Sequence, residues 1–314
     1  MNEAMLQDKS VIVTGGNSGI GFEAVKRIAD EDPSWHIVIA GRNVDESESA
    51  ARELSDMAPE ARASAMKLDL GSFQSVRSFT DDLARAGLPP VAGLICNAGV
   101  MGGRGGGVSA DGYEITFAVN HLGHFLLTNL LLPAMPHGSR VVVVSSNTHN
   151  PKAREGRMAA SKYLGVDRLA DPGNELSGPG RYTTSKLCNL LFAYELDRRL
   201  VNDDRRITVN AFDPGFVPGT GLASSQHARS SSRPGRRERV RSRMGIVSST
   251  PAISGGALAA LLLDPAWKDI SGRYVQVHEQ IESSTDSHNL EYARSLWDAS
   301  ARLTGLAPAG GSAP

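Results

Sequence analysis

The chain has 314 residues, 40% hydrophobic and 21% charged, with a formal net charge of −1. This is enough apolar material for one large α/β unit or two small ones, and the near-neutral charge gives no general attraction to nucleic acid. Two cysteines, Cys96 and Cys188, supply no disulfide framework, zinc spacing or CxxC pair, so a reducing, cytoplasmic setting is the default. The opening MNEAMLQDKS is polar and does not read as a secretory signal, and apolar runs such as GGALAALLL (255–263) are short for a bilayer.

Short β-rich runs then alternate with amphipathic stretches. SVIVT (10–14) leads through TGGNSGIG into a helix, GFEAVKRIADE, and HIVIA (36–40) follows. Next come ASAMKL (63–68), the helical SVRSFTDDLARA, AGLIC (92–96) and a glycine-rich loop, GGRGGG (102–107). RVVVVSS (140–146) precedes a Pro- and Gly-containing insertion, 147–181, and a helix opening on RYTTSK. ITVNAF (207–212) and RYVQV (273–277) are the last strands, and residues 223–245 between them carry seven arginines. Near-continuous Val/Ile/Leu runs suit strands buried on both faces. Strand–helix alternation at this spacing predicts an α/β fold: a single doubly wound parallel sheet of about seven strands, helices on both faces, in one domain over 1–306. Residues 147–181 and 222–250 are expected as insertions over a substrate, and 307–314 as a disordered tail.

The first strand ends in a glycine-rich turn, TGGNSGIG (14–21), that opens a helix. Such a turn lets the backbone approach a pyrophosphate, where free N–H groups and the helix dipole favour negative charge. Gly15, Gly19 and Gly21, with Asn17, Ser18 and Ile20 between them, are the candidate contacts. The second strand ends in AGRN, with Arg42 where an NAD site usually places a carboxylate. A guanidinium there suits a 2′-phosphate, which favours NADP (NADPH) over NAD.

Tyr182 and Lys186 lie four residues apart, on one helix face. Taken alone this is a common pair. Its meaning depends on its neighbours, because TGGNSGIG, LDL (68–70), NAG (97–99), VNHLGHF (119–125), VVVVSS (141–146), YTTSK (182–186) and DPG (213–215) occur in one order. In these motifs the chain, over about residues 8 to 280, resembles the short-chain dehydrogenase/reductase family, whose fold is of Rossmann type. The resemblance implies a catalytic tetrad of Asn120, Ser146, Tyr182 and Lys186. It places Asp69 and Leu70 by the adenine and Asn97, Ala98 and Gly99 by the cofactor, with Pro214, Gly215, Val217 and Thr220 towards the nicotinamide carboxamide and Lys186 on its ribose.

The chemistry explains those residue types. Carbonyl reduction needs a proton for the oxygen, and a free phenol, with a pKa of about 10, exchanges protons poorly at neutral pH. A neighbouring lysine cation lowers that pKa, while Ser146 holds the substrate oxygen nearby. Ser145 would point the other way on its strand. Asn120 is expected to interrupt its helix and hold a water that resupplies the proton.

NHLGHFLLTNLLL and YTTSKLCNLLFAYELDRRL are similar to the retinol dehydrogenase and protochlorophyllide reductase branch. The long insertion, PGTGL (218–222) and the final SGRYVQVHEQ…YARSLWDASARLTGLA tilt towards the second group. Members of that group carry a cysteine where this chain has Phe216, within DPGFVPG. The preferred reading is therefore reduction of another bulky, fairly apolar carbonyl, or oxidation of the corresponding alcohol. Val100, Met101, Thr148, His149, Phe216 and Leu222 are the candidate substrate contacts. The alternatives are a light-dependent, protochlorophyllide-type double-bond reductase and a non-catalytic NADPH-binding regulator. No metal set is expected of His121, His124 and His149. The arginines of 229–243 are open to three readings: a mobile lid whose charge meets an anionic substrate or the NADP phosphates, peripheral contact with an anionic membrane, or a solvated, partly disordered loop. Nucleic acid is not an expected partner, and the choice between monomer and homo-oligomer stays open.

Overall fold

Alternation along the first strand sets the architecture. In β1 (Lys9–Thr14), Val11 and Val13 point into one apolar cluster and Ile12 into another, and all three are fully buried. A strand buried on both faces needs a layer on each side. The structure, a computed structural model, describes residues 8–102, 107–153, 156, 159–218 and 247–306. Expectations for Thr220, Leu222, 229–243 and 307–314 fall outside the described residues.

The chain continues through α1 (Gly19–Glu31), β2 (Trp35–Gly41), α2 (Val44–Met57), β3 (Arg62–Lys67), α3 (Phe73–Arg85) and β4 (Val91–Cys96). A helical stretch follows: α4 (Ile115–Phe117), a π-helical turn over Ala118–Leu122 and α5 (Gly123–Leu131). Then come β5 (Arg140–Val144), α6 (Val166–Ala170), α7 (Gly178–Leu200), β6 (Thr208–Asp213), α8 (Pro251–Leu263), β7 (Tyr274–Gln276), β8 (Glu279–Gln280) and α9 (Leu290–Thr304). They form one eight-stranded sheet in the order β3-β2-β1-β4-β5-β6-β7-β8. All pairs are parallel except β7–β8. The order reverses between β1 and β4, the switch point where such sheets open a crevice at the strand C-terminal ends.

One face packs on α1 and α8 through Phe22, Val25, Ile28, Leu258 and Leu262. The other packs on α3, α5 and α7 through Phe79, Phe125 and Leu190. α9 lies outside α7, its Trp297 ring 5.0 Å from that of Phe125 and 6.0 Å from that of Phe192.

Three expectations are corrected here. β3 is an edge strand, half-buried rather than covered on both faces. A strand of two exposed polar residues, β8, extends the sheet to eight, and nothing in Glu279–Gln280 signals it. The helical stretch Ile115–Ala134 has mean hydropathy 1.3 and the length to cross a membrane, although no single run in it is as apolar as 255–263. It is 72% buried against the rest of the protein, as a core helix would be.

Candidate active site

The crevice begins at the glycine-rich turn. Gly15 has φ +64°, a conformation that favours glycine, and a Cβ on Gly21 would lie 2.4 Å from the Gly15 carbonyl oxygen and 2.6 Å from Asn97 Nδ2. The two glycines let the turn fold flat over Asn97. Ser18, the residue before α1, makes no side-chain cap, so first-turn N–H groups of α1 are left to an outside acceptor. Asn97 braces the turn from below, its Nδ2 donating to the Thr14 carbonyl at 2.9 Å and the Gly15 carbonyl at 3.4 Å. Asp69 Oδ1 accepts from the Gly71 N–H at 2.9 Å, fixing the bend after β3, and Leu70 is buried beneath it. Arg42 is exposed directly after β2. A shallow cleft of about 430 Å³ lies beside Asn17 and Ser18, with Asp45, Glu46 and Glu53 in its wall. The Glu46 carboxylate accepts from Asn17 and Asn43, both at 3.0 Å. An uncapped helix start, a glycine cradle and an exposed guanidinium fit a phosphorylated dinucleotide.

Thr14 ties this turn to the neighbouring strand. Its Oγ1 accepts from the N–H groups of Asn97 and Ala98 at 2.9 and 3.0 Å. With both lone pairs occupied, its own proton is left for His124 Nε2 at 2.9 Å and, at 3.3 Å, the Ile95 carbonyl. His124 Nδ1–H then faces the Asn120 carbonyl at 3.2 Å. Burial pushes His124 down to about 4, so the ring is neutral at pH 7. His124 and Thr14 were not singled out from sequence as site residues. A histidine four residues after Asn120 on one helix was the available signal.

Asn120 sits in the π-helical turn and is fully buried. Its Oδ1 accepts from the Val100 N–H at 2.7 Å, and its Nδ2 donates to the Val100 carbonyl and to Ser185 Oγ, both at 2.9 Å. A Cβ on Gly99 would stand 3.4 Å from Asn120 Oδ1 and 3.6 Å from Lys186 Nζ. The NAG loop, Asn120 and Lys186 therefore meet at one point. Met101, half-buried, follows on the same loop.

α7 starts on a Ser177 cap that accepts from the Gly180 N–H, with Pro179 in its first turn. It presents Tyr182, Lys186 and Asn189 along one face, all buried. Lys186 Nζ and Asn189 Nδ2 both donate to the Val144 carbonyl at 3.0 Å, clamping the helix to the end of β5. Ser145 points to the Lys186 carbonyl (2.8 Å), whereas the Ser146 side chain is turned to Tyr182, where it favours the phenolate. Thr148 Oγ1 donates to Ser146 Oγ at 3.0 Å.

The electrostatics differ from the sequence expectation. Burial is the largest influence on Tyr182 and raises its phenol above the usual range; Asp213 adds to the rise and Ser146 opposes it. Lys186 stands 5.6 Å from the Tyr182 ring centroid. Burial brings Lys186 itself down to about 8, partly offset by Asp213. The lowering expected of Lys186 on Tyr182 does not set the direction of the phenol's shift; burial does. Asp213, a buried carboxylate at the end of β6, was noticed only as part of DPG. It accepts from the Gly215 N–H at 3.0 Å and from Gln276 at 2.6 Å.

Two substrate expectations are revised. His149 is fully buried and bonded on both ring nitrogens, so it lines no pocket. The later part of the 147–181 insertion is built into the core. Val166 and Leu169 pack on Leu187 and Leu191, and the Tyr163 ring lies 4.6 Å from that of Tyr292. Arg181 holds this segment by donating to the Pro172 and Asn174 carbonyls, each at 3.0 Å. Phe216 is exposed at the rim, and the segment pairs with 247–249 through Phe216 N–H to the Val247 carbonyl at 2.8 Å. Val217 is buried after it, and Pro214 and Gly215 are half-buried.

The sequence pattern of the short chain dehydrogenase family matches residues 9–177. The chain belongs to the short-chain dehydrogenase family. It is an oxidoreductase of the branch in which its relatives fall. It is 33% identical to protochlorophyllide reductase A, chloroplastic, of Oryza sativa subsp. japonica, covering 96% of this chain and 82% of that one. It is 32% identical to retinol dehydrogenase 13 of Homo sapiens, covering 97% and 87%. Among solved structures, a blue fluorescent protein from a metagenomic library in complex with NADPH shares 25% identity at a TM-score of 0.61, covering 87% of this short-chain dehydrogenase and 97% of that chain.

Proposed function

We propose that this short-chain dehydrogenase uses NADPH to reduce a bulky, fairly apolar carbonyl to the alcohol, with Tyr182 as proton donor. The observation that carries the reading is the buried Tyr182 phenol, with Ser146 beside it and Lys186 Nζ 5.6 Å from its ring centroid, one helical turn later. The phenol holds its proton at pH 7, so there is a proton to give to a carbonyl oxygen, and its transfer relies on Ser146 and Lys186 to offset what burial adds. Ser146 orients that oxygen, and Lys186, charged at neutral pH, favours the phenolate left when Tyr182 gives up its proton. With its pyrophosphate on the Gly15–Gly21 turn, the cofactor would supply the hydride from its nicotinamide. Arg42 supports the 2′-phosphorylated form, as does the NADPH held by the metagenomic relative. Apolar side chains at the rim, Phe216 and Val247, support an apolar substrate.

The test is NADPH oxidation in the dark against bulky aldehydes and polycyclic ketones, with Tyr182→Phe alongside. Turnover lost in the variant, with NADPH still bound, is the expected result. NADPH binding without turnover on any carbonyl would favour the regulator reading. The likeness to the rice enzyme favours a second catalytic reading, light-dependent reduction of a pigment double bond. It requires turnover of the pigment under illumination and none in the dark.

We also propose that the chain does not self-associate through the outer faces of α5 and α7. α9 covers them, with Leu296, Trp297 and Ala301 buried there. Light scattering at micromolar concentration tests this, and the cytoplasmic setting is open to cell fractionation.

A further inference from the structure

His149 is the buried histidine next to the site whose partners fix its protonation without ambiguity. The Ser284 N–H donates to Nε2 at 3.1 Å, and an amide N–H can only donate. The ring proton is therefore on Nδ1, which faces the Ser146 carbonyl at 2.6 Å. That carbonyl also accepts the His149 main-chain N–H at 3.1 Å, and Ser161 Oγ donates to the His149 carbonyl at 2.7 Å. The ring edge rests on Tyr274 at 5.6 Å. No carboxylate among these contacts would draw a proton through the ring. On the far side, the turn Thr285–His288 is fastened to α7. Ser283 Oγ meets Tyr194 Oη at 2.9 Å, Ser287 Oγ at 2.7 Å and His288 Nε2 at 2.9 Å. The His149 ring thus spans from the main chain of Ser146 to a turn fixed on the helix that carries Tyr182.

We propose that His149 is a positioning residue: its imidazole braces the Ser146 carbonyl against the Ser284 turn and so keeps the Ser146 hydroxyl beside Tyr182. The inference rests on the reading of Ser146 as the group that orients the substrate oxygen. Ser146 has extended backbone (φ −166°, ψ 141°) and lies two residues past Val144, the end of β5, where the main chain leaves the sheet. The histidine replaces the lost strand neighbour with a rigid one. Small misplacements of an orienting group cost large factors in rate.

The experiment is a double-mutant cycle with benzil, a bulky aromatic diketone, as the carbonyl probe and NADPH as reductant. His149→Phe keeps a ring without its hydrogen bonds. It should lower kcat on the order of tenfold, with NADPH affinity held within about twofold. In the Ser146→Ala background the same change should cost less than about twofold, because the group it positions is gone. Ser284→Pro removes the N–H donor, together with a buried hydroxyl that makes no hydrogen bond, at a residue whose φ is −66°, the proline value, and should give a smaller fall of the same kind. Equal losses from His149→Phe in both backgrounds would mean a general packing role and overturn the proposal. Ser146→Ala turning over at the wild-type rate would sink the reading of Ser146, and the inference with it. A slow Ser146→Ala beside an unimpaired His149→Phe would sink the inference alone. Imidazole nitrogen shifts by NMR decide independently of turnover. The ring should be neutral with its proton on Nδ1 at pH 6. A proton on Nε2, or titration near the free-histidine value, would overturn the brace.

Discussion

The two sides of the crevice are made of different material. On the β1–α1 side the contacts offered to a ligand are main-chain N–H groups shaped by Gly15 and Gly21. On the β5–α7 side they are side chains: Ser146, Tyr182 and Lys186, each held by a partner distant in sequence. Lys186 is tied to Val144, and Ser146 through His149 to Ser284. A backbone site depends on local conformation, on its glycines and on the two side chains, Thr14 and Asn97, that brace it. A side-chain site depends on a buried scaffold and is open to loss at a distance.

Replacing Tyr182 by Phe should separate the two sides most sharply. Turnover is expected to fall about 10³-fold, within the range for a lost general acid, while NADPH binding by fluorescence changes less than about twofold. Parallel loss of both would erase the distinction.

Acid should dismantle the side-chain scaffold next. His121 is brought by burial to about 3, and His124 and His149 to about 4. Their pKa values are lowered on folding, so between the ordinary histidine value and about 4 the unfolded chain binds more protons and stability falls as pH falls. The contribution is fully present above pH 6.5 and amounts to roughly 3 kcal/mol for each of His124 and His149. Urea midpoints from pH 7 to pH 4.5 should decline steeply. A flat profile would mean that the rings are not held neutral.

Thr14→Val removes a hydroxyl that serves Asn97, Ala98 and His124 together. It should cost about 2–3 kcal/mol, since buried donors lose their acceptor. Chemical denaturation reads this, and NADPH affinity should also fall because the NAG loop loosens. The smallest expected effect is on the backbone side, where Arg42→Ala should reduce the preference for NADPH over NADH roughly tenfold, the worth of one exposed charge-assisted contact. An unchanged ratio of kcat/KM values would remove Arg42 from the cofactor reading.

The same contrast decides what could be read from the residues. β1, β2, β4, β5 and β6 are apolar runs of β-branched residues with turn signals at their ends, so their places were legible to within a residue or two. The glycine-rich turn was legible because its chemistry is local. β8 was not, since its pairing with β7 comes from a turn and not from its own residues. His149 was misassigned to the substrate because nearness to Ser146 in sequence says nothing of Ser284, which comes from far along the chain to bury it. The fate of the insertion was hidden similarly. Its apolar residues, Val166, Leu169 and Leu176, acquire partners only when α7 and α9 are in place.

α9 carries a consequence for how the protein is made. It is synthesised well after α7, yet it closes over Phe192 and Leu191 on that helix with Trp297 and Leu296, and Arg199 lies 4.3 Å over the Trp297 ring. Until it arrives, the helix bearing Tyr182 and Lys186 shows an apolar outer flank to the cell. Covering that flank is worth about 1.5–3 kcal/mol per large side chain. The nascent chain is therefore most open to chaperones and to aggregation in the interval between the synthesis of these two helices.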